Sequence, residues 1–134
     1  DYREQLEEEA KVDLALKQRL LEDSRALFER LKTELRQSED RLFQSALAPQ
    51  GERWLMDQYI KGLKGDVANA AMQTRMHEQL VDEARKMLAA RAIERKLLEK
   101  LKERQNLQYL REEQLKEQRV NDETATLRYK APTL

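Results

Sequence analysis

Few residues in this 134-residue chain have the type and spacing that catalysis or metal binding requires. The chain contains one histidine, His77, and no cysteine. A lone imidazole cannot assemble a metal site, and nucleophilic catalysis needs a base beside the nucleophile. With only three glycines, the chain also has no glycine-rich loop that could bind phosphate. We therefore predict that the protein is not an enzyme and has no cofactor, metal or small-molecule substrate.

The balance of charges argues against nucleic acid and membrane lipid as direct ligands. Lysine and arginine number 26, as do aspartate and glutamate, so the formal net charge is zero. A neutral chain has no overall field to attract phosphate. The basic run from residue 85 to 104 is expected to lie beside the acidic start of the chain. The longest apolar runs are far shorter than the roughly 18 residues that a membrane span needs, which predicts a soluble protein.

Three large apolar residues are better candidates for function because they lie near the strongest break in the sequence. These residues are Trp54, Tyr59 and Leu63. Large aromatic side chains at the turn of a helical hairpin have little core to enter, and Trp and Tyr are the residues that anchor protein interfaces. Local packing across the turn remains the alternative interpretation.

The break that positions these residues is at Pro49. Proline cannot continue a helix that runs into it, because it lacks the amide hydrogen and its ring clashes with the preceding turn. We predict one domain with a first helix over about 2–47, a turn over 48–52, a second helix over about 53–128 and a frayed tail. Because the first residue is Asp1 rather than methionine, we also expect that native residues preceding it are missing.

The first helix has a regular seven-residue repeat of large apolar residues. The repeat begins at Leu14 and ends at Leu42, and the companion core positions are mostly small or polar. A second row, formed by Leu6, Leu16, Leu20 and Leu27, widens the apolar face beyond what one partner helix covers. The core of the predicted coiled coil comprises Leu14, Leu21, Phe28, Leu31, Leu35, Leu42, Leu80, Ala84, Met87 and Leu101.

The second helix has clear helical spacing but no clean heptad. Gly62 and Gly65 lie inside it, and each costs about 1 kcal/mol relative to alanine. With 39% charged and 5% aromatic residues, the composition is typical of a coiled coil. We predict an all-α fold, an elongated antiparallel two-helix coiled coil whose second helix is the longer. Residues whose numbers add up to about 100 should face each other across it.

Three segments in a fixed order carry a resemblance to a known family. They are the acidic start, residues 1–11, the turn residues Arg53 and Trp54 followed by Tyr59, Ile60 and Leu63, and residues 99–103. The charged closing pattern agrees as well. It comprises Tyr109, Glu112, Glu113, Glu117, Gln118, Asp122, Glu123, Ala125 and Arg128. In these features the chain resembles the FliJ family of flagellar type III export proteins, which includes the related YscO stalks.

The resemblance implies a non-enzymatic stalk and chaperone-escort component of the flagellar export apparatus. Its implied partners are the export ATPase hexamer, the membrane export gate protein and the export chaperones, and it would promote assembly and activity of the ATPase ring. The implied location is the cytoplasm, with peripheral association with the inner-membrane export apparatus through these partners. The implied processes are flagellum biogenesis, protein transport, motility and chemotaxis.

The resemblance also implies two binding surfaces. Trp54, Tyr59 and Leu63 become candidates for contacts with the gate or the chaperones. An acidic segment near the other end of the second helix becomes the candidate for the ATPase contact. It comprises Glu112, Glu113, Glu117, Asp122 and Glu123.

Three alternatives to a flagellar stalk remain open at the level of sequence. The nearest is the equivalent stalk of a virulence injectisome, which has the same shape and the same classes of partner. A nucleic-acid-binding helical arm is a second alternative, although the zero net charge disfavours it. The third is a plain coiled-coil spacer, in which Trp54 and Tyr59 would have no partner.

Overall fold

The structure is a computed structural model that describes residues 1–130. It contains two α-helices, α1 (Tyr2–Gln44) and α2 (Gln50–Lys130), and no strand within those residues. The predicted all-α class is confirmed, as is the greater length of the second helix. The contacts divide the chain into two units, Asp1–Arg91 and Ala92–Leu134. The single domain stays a prediction, and the last predicted tail residues, 131–134, lie outside the described part.

Side chains cap α1 at both ends. The Asp1 carboxylate accepts a hydrogen bond from the Arg3 amide at 3.3 Å, which satisfies one of the free amides of the first turn. At the other end, the Ser45 amide donates to the carbonyls of Arg41 and Leu42. The Ser45 hydroxyl also donates to the Leu42 carbonyl at 2.9 Å. These bonds end α1 at Gln44 rather than at the predicted Leu47.

The turn between the helices covers residues 45–49, three residues earlier than the predicted 48–52 and equally long. The Ala48 amide donates to the Ser45 carbonyl at 2.9 Å, and the Pro49 carbonyl accepts from the Arg53 amide at 3.1 Å. A carbonyl that accepts the first intrahelical bond defines the cap of a helix, and proline tolerates this position because no amide is required there. Accordingly α2 begins at Gln50, ahead of the predicted residue 53, and Gly51 is inside its first turn rather than at the cap.

Contacts in the first unit run in opposite directions along the two helices. Near the turn, the Ser45 hydroxyl lies 3.5 Å from the Met56 sulfur. Farther from the turn, the Ser24 and Thr74 hydroxyls are 2.9 Å apart. As residue numbers fall along α1, their partners rise along α2, so the pairing is antiparallel. The predicted fold class is thereby confirmed.

We use the name seam for the line of buried and half-buried residues between the helices of the first unit. On α1 the seam follows the predicted heptad without interruption. Leu21 and Ser38 are buried, and the other seam positions from Leu14 to Ser45 are half-buried. A sustained heptad keeps the same stripe facing the partner helix because a coiled coil has about 3.5 residues per turn.

On α2 the seam also follows a regular heptad, which corrects the sequence interpretation. Two of its members, Thr74 and His77, are polar, so a search for apolar residues alone missed the repeat. Leu80 and Met87, predicted as core, lie beside the seam and are exposed, while Ala84, also predicted as core, is buried together with Val81. Leu101, also predicted as core, is exposed in the second unit. The seam of α2 comprises Ile60, Leu63, Val67, Ala70, Thr74, His77, Val81, Ala84 and Leu88.

In several layers the register pairs a large residue with a small one. Counting from the Ser24–Thr74 contact, the same layers contain Phe28 and Ala70, and Leu14 and Ala84. Alternating large and small residues allows the two helices to interdigitate with few voids. Glu7 is buried at the end of this register, in the layer of Arg91, and neither residue is without a partner.

The second unit contains the continuation of α2. None of residues 92–129 is buried, and only a few, including Leu98 and Glu113, are half-buried. The helix continues through residues 121–124 as far as Lys130, close to the predicted end at about residue 128. There the Thr124 and Thr126 hydroxyls donate to the carbonyls one turn earlier, at 2.9 and 2.8 Å. Within the described residues, neither helix has a stretch long and apolar enough to cross a membrane.

Candidate partner-binding surfaces

A polar cluster joins the two helices close to the turn. The Tyr59 hydroxyl donates to the Glu34 carboxylate at 3.1 Å. The Arg41 guanidinium lies 3.7 Å from the same carboxylate, and its Nε donates to the Gln37 carbonyl at 3.4 Å. Glu34 therefore contacts Tyr59 from α2 and Arg41 from its own helix, and the Tyr59 bond joins the two helices.

This cluster changes the acidity of the tyrosine. The hydrogen bond to the Glu34 carboxylate raises the pKa of Tyr59 above its ordinary value, because ionising the phenol would remove the donor and leave two negative groups together. Burial, although slight, raises the pKa further, and the nearby Arg41 charge opposes the rise. Tyr59 thus acts as a neutral hydrogen-bond donor at neutral pH.

A small pocket of about 100 Å³ adjoins the cluster and is lined by Ser38, Arg41, Met56 and Tyr59. The Ser38 hydroxyl is buried and has no hydrogen-bond partner among the described residues. The register explains this, because it sets Ser38 opposite the apolar Ile60. Elsewhere in the seam, Thr74 donates to the Ala70 carbonyl at 2.8 Å, which leaves Ser24 to donate to Thr74.

The structure separates the three residues predicted at the tip. Trp54 is 60% exposed and Tyr59 is 54% exposed, so both are available to a partner. Leu63 is only 6% exposed. Its place in the α2 heptad directs it into the seam, so the structure corrects its assignment as a surface contact.

Other exposed apolar residues near the turn were missed by the sequence reasoning. Phe43 and Leu47 follow the last half-buried leucine of α1 and are almost fully exposed, and Leu55 is exposed beside Trp54. The available signal was their position outside the α1 heptad, since a large apolar residue outside a seam has no core to enter. We use the name tip surface for Phe43, Leu47, Trp54, Leu55 and Tyr59.

The predicted acidic segment lies entirely on α2 in the second unit. Glu112, Glu117, Asp122 and Glu123 are exposed, and Glu113 is half-buried with its carboxylate 3.7 Å from Lys116. Exposed apolar residues, including Leu110, Leu115 and Val120, interrupt these carboxylates. This mixture of charge and apolar surface is suited to binding another protein.

The described residues contain no cluster of three histidine or acidic side chains that could hold a metal ion. The groups brought together near the turn form a hydrogen-bonded cluster of tyrosine, glutamate and arginine. The raised pKa of Tyr59 keeps its phenol protonated beside the Glu34 carboxylate, so the cluster offers a hydrogen-bond donor rather than an activated nucleophile. What the geometry can do chemically is bind another macromolecule through apolar side chains and hydrogen bonds.

The fold and these surfaces define a class of protein, the helical coiled-coil hairpin with exposed apolar and acidic residues. The model of the family described as Flagellar FliJ protein matches residues 1–133. The chain belongs to this family, which confirms the resemblance found in the sequence and assigns the chain to the flagellar export apparatus. Comparison with curated proteins and with solved structures gave no match.

Proposed function

We propose that the chain is a non-catalytic stalk of the flagellar export apparatus that connects the export ATPase ring to the membrane export gate and the export chaperones. The observation that carries this proposal is the family match over residues 1–133 to a chain that folds as a two-helix coiled coil. Two helices wound around each other in a coiled coil form a stiff element. A stalk between the ATPase ring and the export gate needs this stiffness.

The tip surface is the proposed contact for the gate or the chaperones. Trp54 and Tyr59 retain the role suggested by the sequence, and Leu55 with Phe43 takes the place of the buried Leu63. Exposed apolar side chains near the turn, one of them a tryptophan, match the composition of interface centres, where a few aromatic anchors contribute most of the affinity. The Tyr59–Glu34 hydrogen bond at 3.1 Å holds one of these anchors in a fixed position.

The acidic segment is the proposed contact for the ATPase ring. Four of its five carboxylates, those other than Glu113, are exposed on one helix and can meet basic groups of a partner. Charge complementarity of this kind speeds association and selects the partner. The exposed leucines between the carboxylates would supply apolar burial in the same contact. We place the protein in the cytoplasm, at the inner membrane only through its partners.

A purified ATPase assay tests the acidic segment. The unmodified chain should increase both ring assembly and ATP hydrolysis by the export ATPase. Replacing Glu112, Glu117 and Glu123 with lysine should remove the increase, because the contact would become repulsive. The matched control is Trp54→Ala, which should still stimulate the ATPase. An unmodified chain that changes neither assembly nor hydrolysis would contradict the proposal.

A binding assay with the purified gate protein and chaperones tests the tip surface. Trp54→Ala with Leu55→Ala should weaken binding by on the order of a hundredfold, the usual effect of removing two central anchors. The triple lysine variant of the acidic segment is the control and should bind as before. Unchanged binding by the tip variant would leave the chain as a plain spacer at this end.

A further inference from the structure

The two flanks of the seam differ in character in the first unit. Each heptad of the seam has two core positions, and the residues just before the first of them lie on one flank. Tyr59 and Glu34 both belong to this flank, and they are hydrogen-bonded to each other. Residues that follow the second core position face the other flank, where Arg25 pairs with Glu78 at 3.5 Å. These two contacts establish which side chains share each flank.

The flank that contains Tyr59 continues along α2 through the polar Asp66 and Gln73 and becomes largely apolar farther from the turn. Leu20 and Leu27 on α1 belong to it, and so do Leu80 and Met87 on α2, and all four are exposed. Leu16 and Met76, each one helical turn before a flank leucine, extend it outward and are 56% and 57% exposed. We use the name methionine flank for Leu16, Leu20, Leu27, Met76, Leu80 and Met87.

This surface has the shape that a further helix would fill. When apolar residues occupy a third heptad position beside the two core positions, a helix pair can bury them only against another helix. The opposite flank lacks such residues and carries charges at Arg25, Lys32 and Arg85. Methionine side chains are flexible and polarisable, so they adapt to the apolar side chains of different partners.

The charges at the edge of the methionine flank indicate the occupant. Asp23 lies one turn before Leu27, and Glu83 lies one turn before Met87, so each helix contributes a carboxylate to the border. A second copy of the chain would bring its own acidic border to the contact, so carboxylates of one copy would meet carboxylates of the other, which is unfavourable. A helix with lysine or arginine beside its apolar stripe would neutralise them.

We propose that the methionine flank binds an amphipathic helix of a partner protein whose apolar stripe is bordered by basic residues. This site is separate from the tip surface and from the acidic segment, and it does not depend on the roles proposed for either. The apolar side chains supply the area removed from water, and Asp23 and Glu83 select basic over acidic helices.

Calorimetry with the full chain tests the apolar part of the proposal. The probe is a synthetic amphipathic peptide of about 20 residues with leucine at the core positions and lysine beside them. It should bind the unmodified chain, and Leu16→Gln with Met76→Gln should weaken binding by about tenfold. The control, Leu97→Gln with Leu101→Gln, exchanges exposed residues of the second unit and should bind the probe unchanged. Circular dichroism checks that all variants are equally helical.

A second peptide with glutamate in place of every lysine tests the charge selection. It should bind more weakly than the lysine peptide. The double variant Asp23→Asn, Glu83→Gln should reduce this difference in affinity and make the difference less dependent on salt. Glu39→Gln with Asp40→Asn, which removes two carboxylates elsewhere on α1, is the control and should leave the difference intact. Equal binding of the two peptides to the unmodified chain would overturn the assignment of a basic partner.

Two other results would also overturn the proposal. Failure of the lysine peptide to bind, or equal binding to the Leu16→Gln, Met76→Gln variant, would show that the methionine flank is not its site. Sedimentation of the chain without peptide addresses a second copy as the occupant. A dimer that the same double variant converts to monomer would show that the methionine flank joins two copies of this chain.

Discussion

The two units of the chain contain the same kind of helix in different surroundings. In the first unit, residues 1–91, α1 and α2 bury a seam whose members include Leu21, Leu63 and Val81. In the second, no residue from 92 to 129 is buried. Both parts are rich in charged residues at helical spacing, so local propensity alone does not distinguish them. Burial against a second helix does.

The comparison shows where stability and binding reside. Helical stability in water comes mainly from packing an apolar face, since an isolated helix is marginal even with favourable residues. The first unit has that packing, and its exposed residues can act as a rigid template. The leucines of the second unit are exposed and do not pack in a core within the described residues. A bound partner that covered them would therefore raise the stability of this unit more than that of the first.

Hydrogen exchange should show the largest difference between the units. Amides of residues 60–84, within the paired part of α2, should exchange more slowly than amides of residues 105–127 by on the order of a hundredfold or more. The physical reason is that opening the paired part must also expose the seam. Exchange measured by NMR or mass spectrometry on the free chain provides the test, and equal rates in the two segments would contradict the comparison.

A matched pair of leucine substitutions should show the next largest effect. Leu21→Ala removes a side chain that is 6% exposed and should lower the free energy of unfolding by about 3 kcal/mol. Leu110→Ala makes the same change at a residue that is 56% exposed and should change it by less than about 0.5 kcal/mol. Urea unfolding followed by circular dichroism measures both. Similar losses would mean that the second unit has a core of its own.

The α1 seam could be predicted from the sequence because its large residues recur every seven positions from Leu14 to Leu42. The α2 seam could not be predicted in the same way. Thr74 and His77 occupy core positions there, while Leu80 and Met87 stand beside them, so hydrophobicity pointed to the wrong face. Only the partner helix fixes the register, because it decides which stripe of α2 faces α1.

Some candidate site residues could also be predicted from the sequence, and others could not. Trp54 and Tyr59 could be placed near a turn because Pro49 marks it, and both are exposed. Leu63 could not be assigned correctly, since its burial depends on the α2 register. The hydrogen bond between Tyr59 and Glu34 joins residues far apart in the chain and has no signature in either local sequence.

Two serines of the seam should have opposite effects when each is replaced by alanine. Ser24→Ala removes the hydroxyl that lies 2.9 Å from Thr74 and should destabilise the chain by about 1 kcal/mol. Ser38→Ala removes a buried hydroxyl without a partner and should stabilise it by a similar amount, about 1 kcal/mol. Thermal unfolding of the two variants beside the unmodified chain measures the signs. A loss of stability in Ser38→Ala would show that its hydroxyl has a partner in solution.

The smallest effect is expected at Tyr59. The polar cluster of the first unit changes the pKa of its phenol, but the residue is exposed and does not belong to the buried seam. The hydrogen bond to Glu34 raises the pKa of the phenol, so its stabilising contribution is complete below the ordinary tyrosine pKa of about 10 and is lost as the pH rises through the higher folded value. Glu34→Gln should lower the pKa of Tyr59 towards its ordinary value, because it removes the charged acceptor.

NMR of the Tyr59 ring carbons during a pH titration measures this shift. Tyr59→Phe is the companion variant and should keep its tip contacts while it loses the pH-dependent part of the stability. Glu29→Gln, which removes a carboxylate that pairs with Lys32 within α1, is the control and should leave the titration of Tyr59 unchanged. If Glu34→Gln left that titration unchanged as well, the hydrogen bond would not form in solution, and the tip would be held by the seam alone.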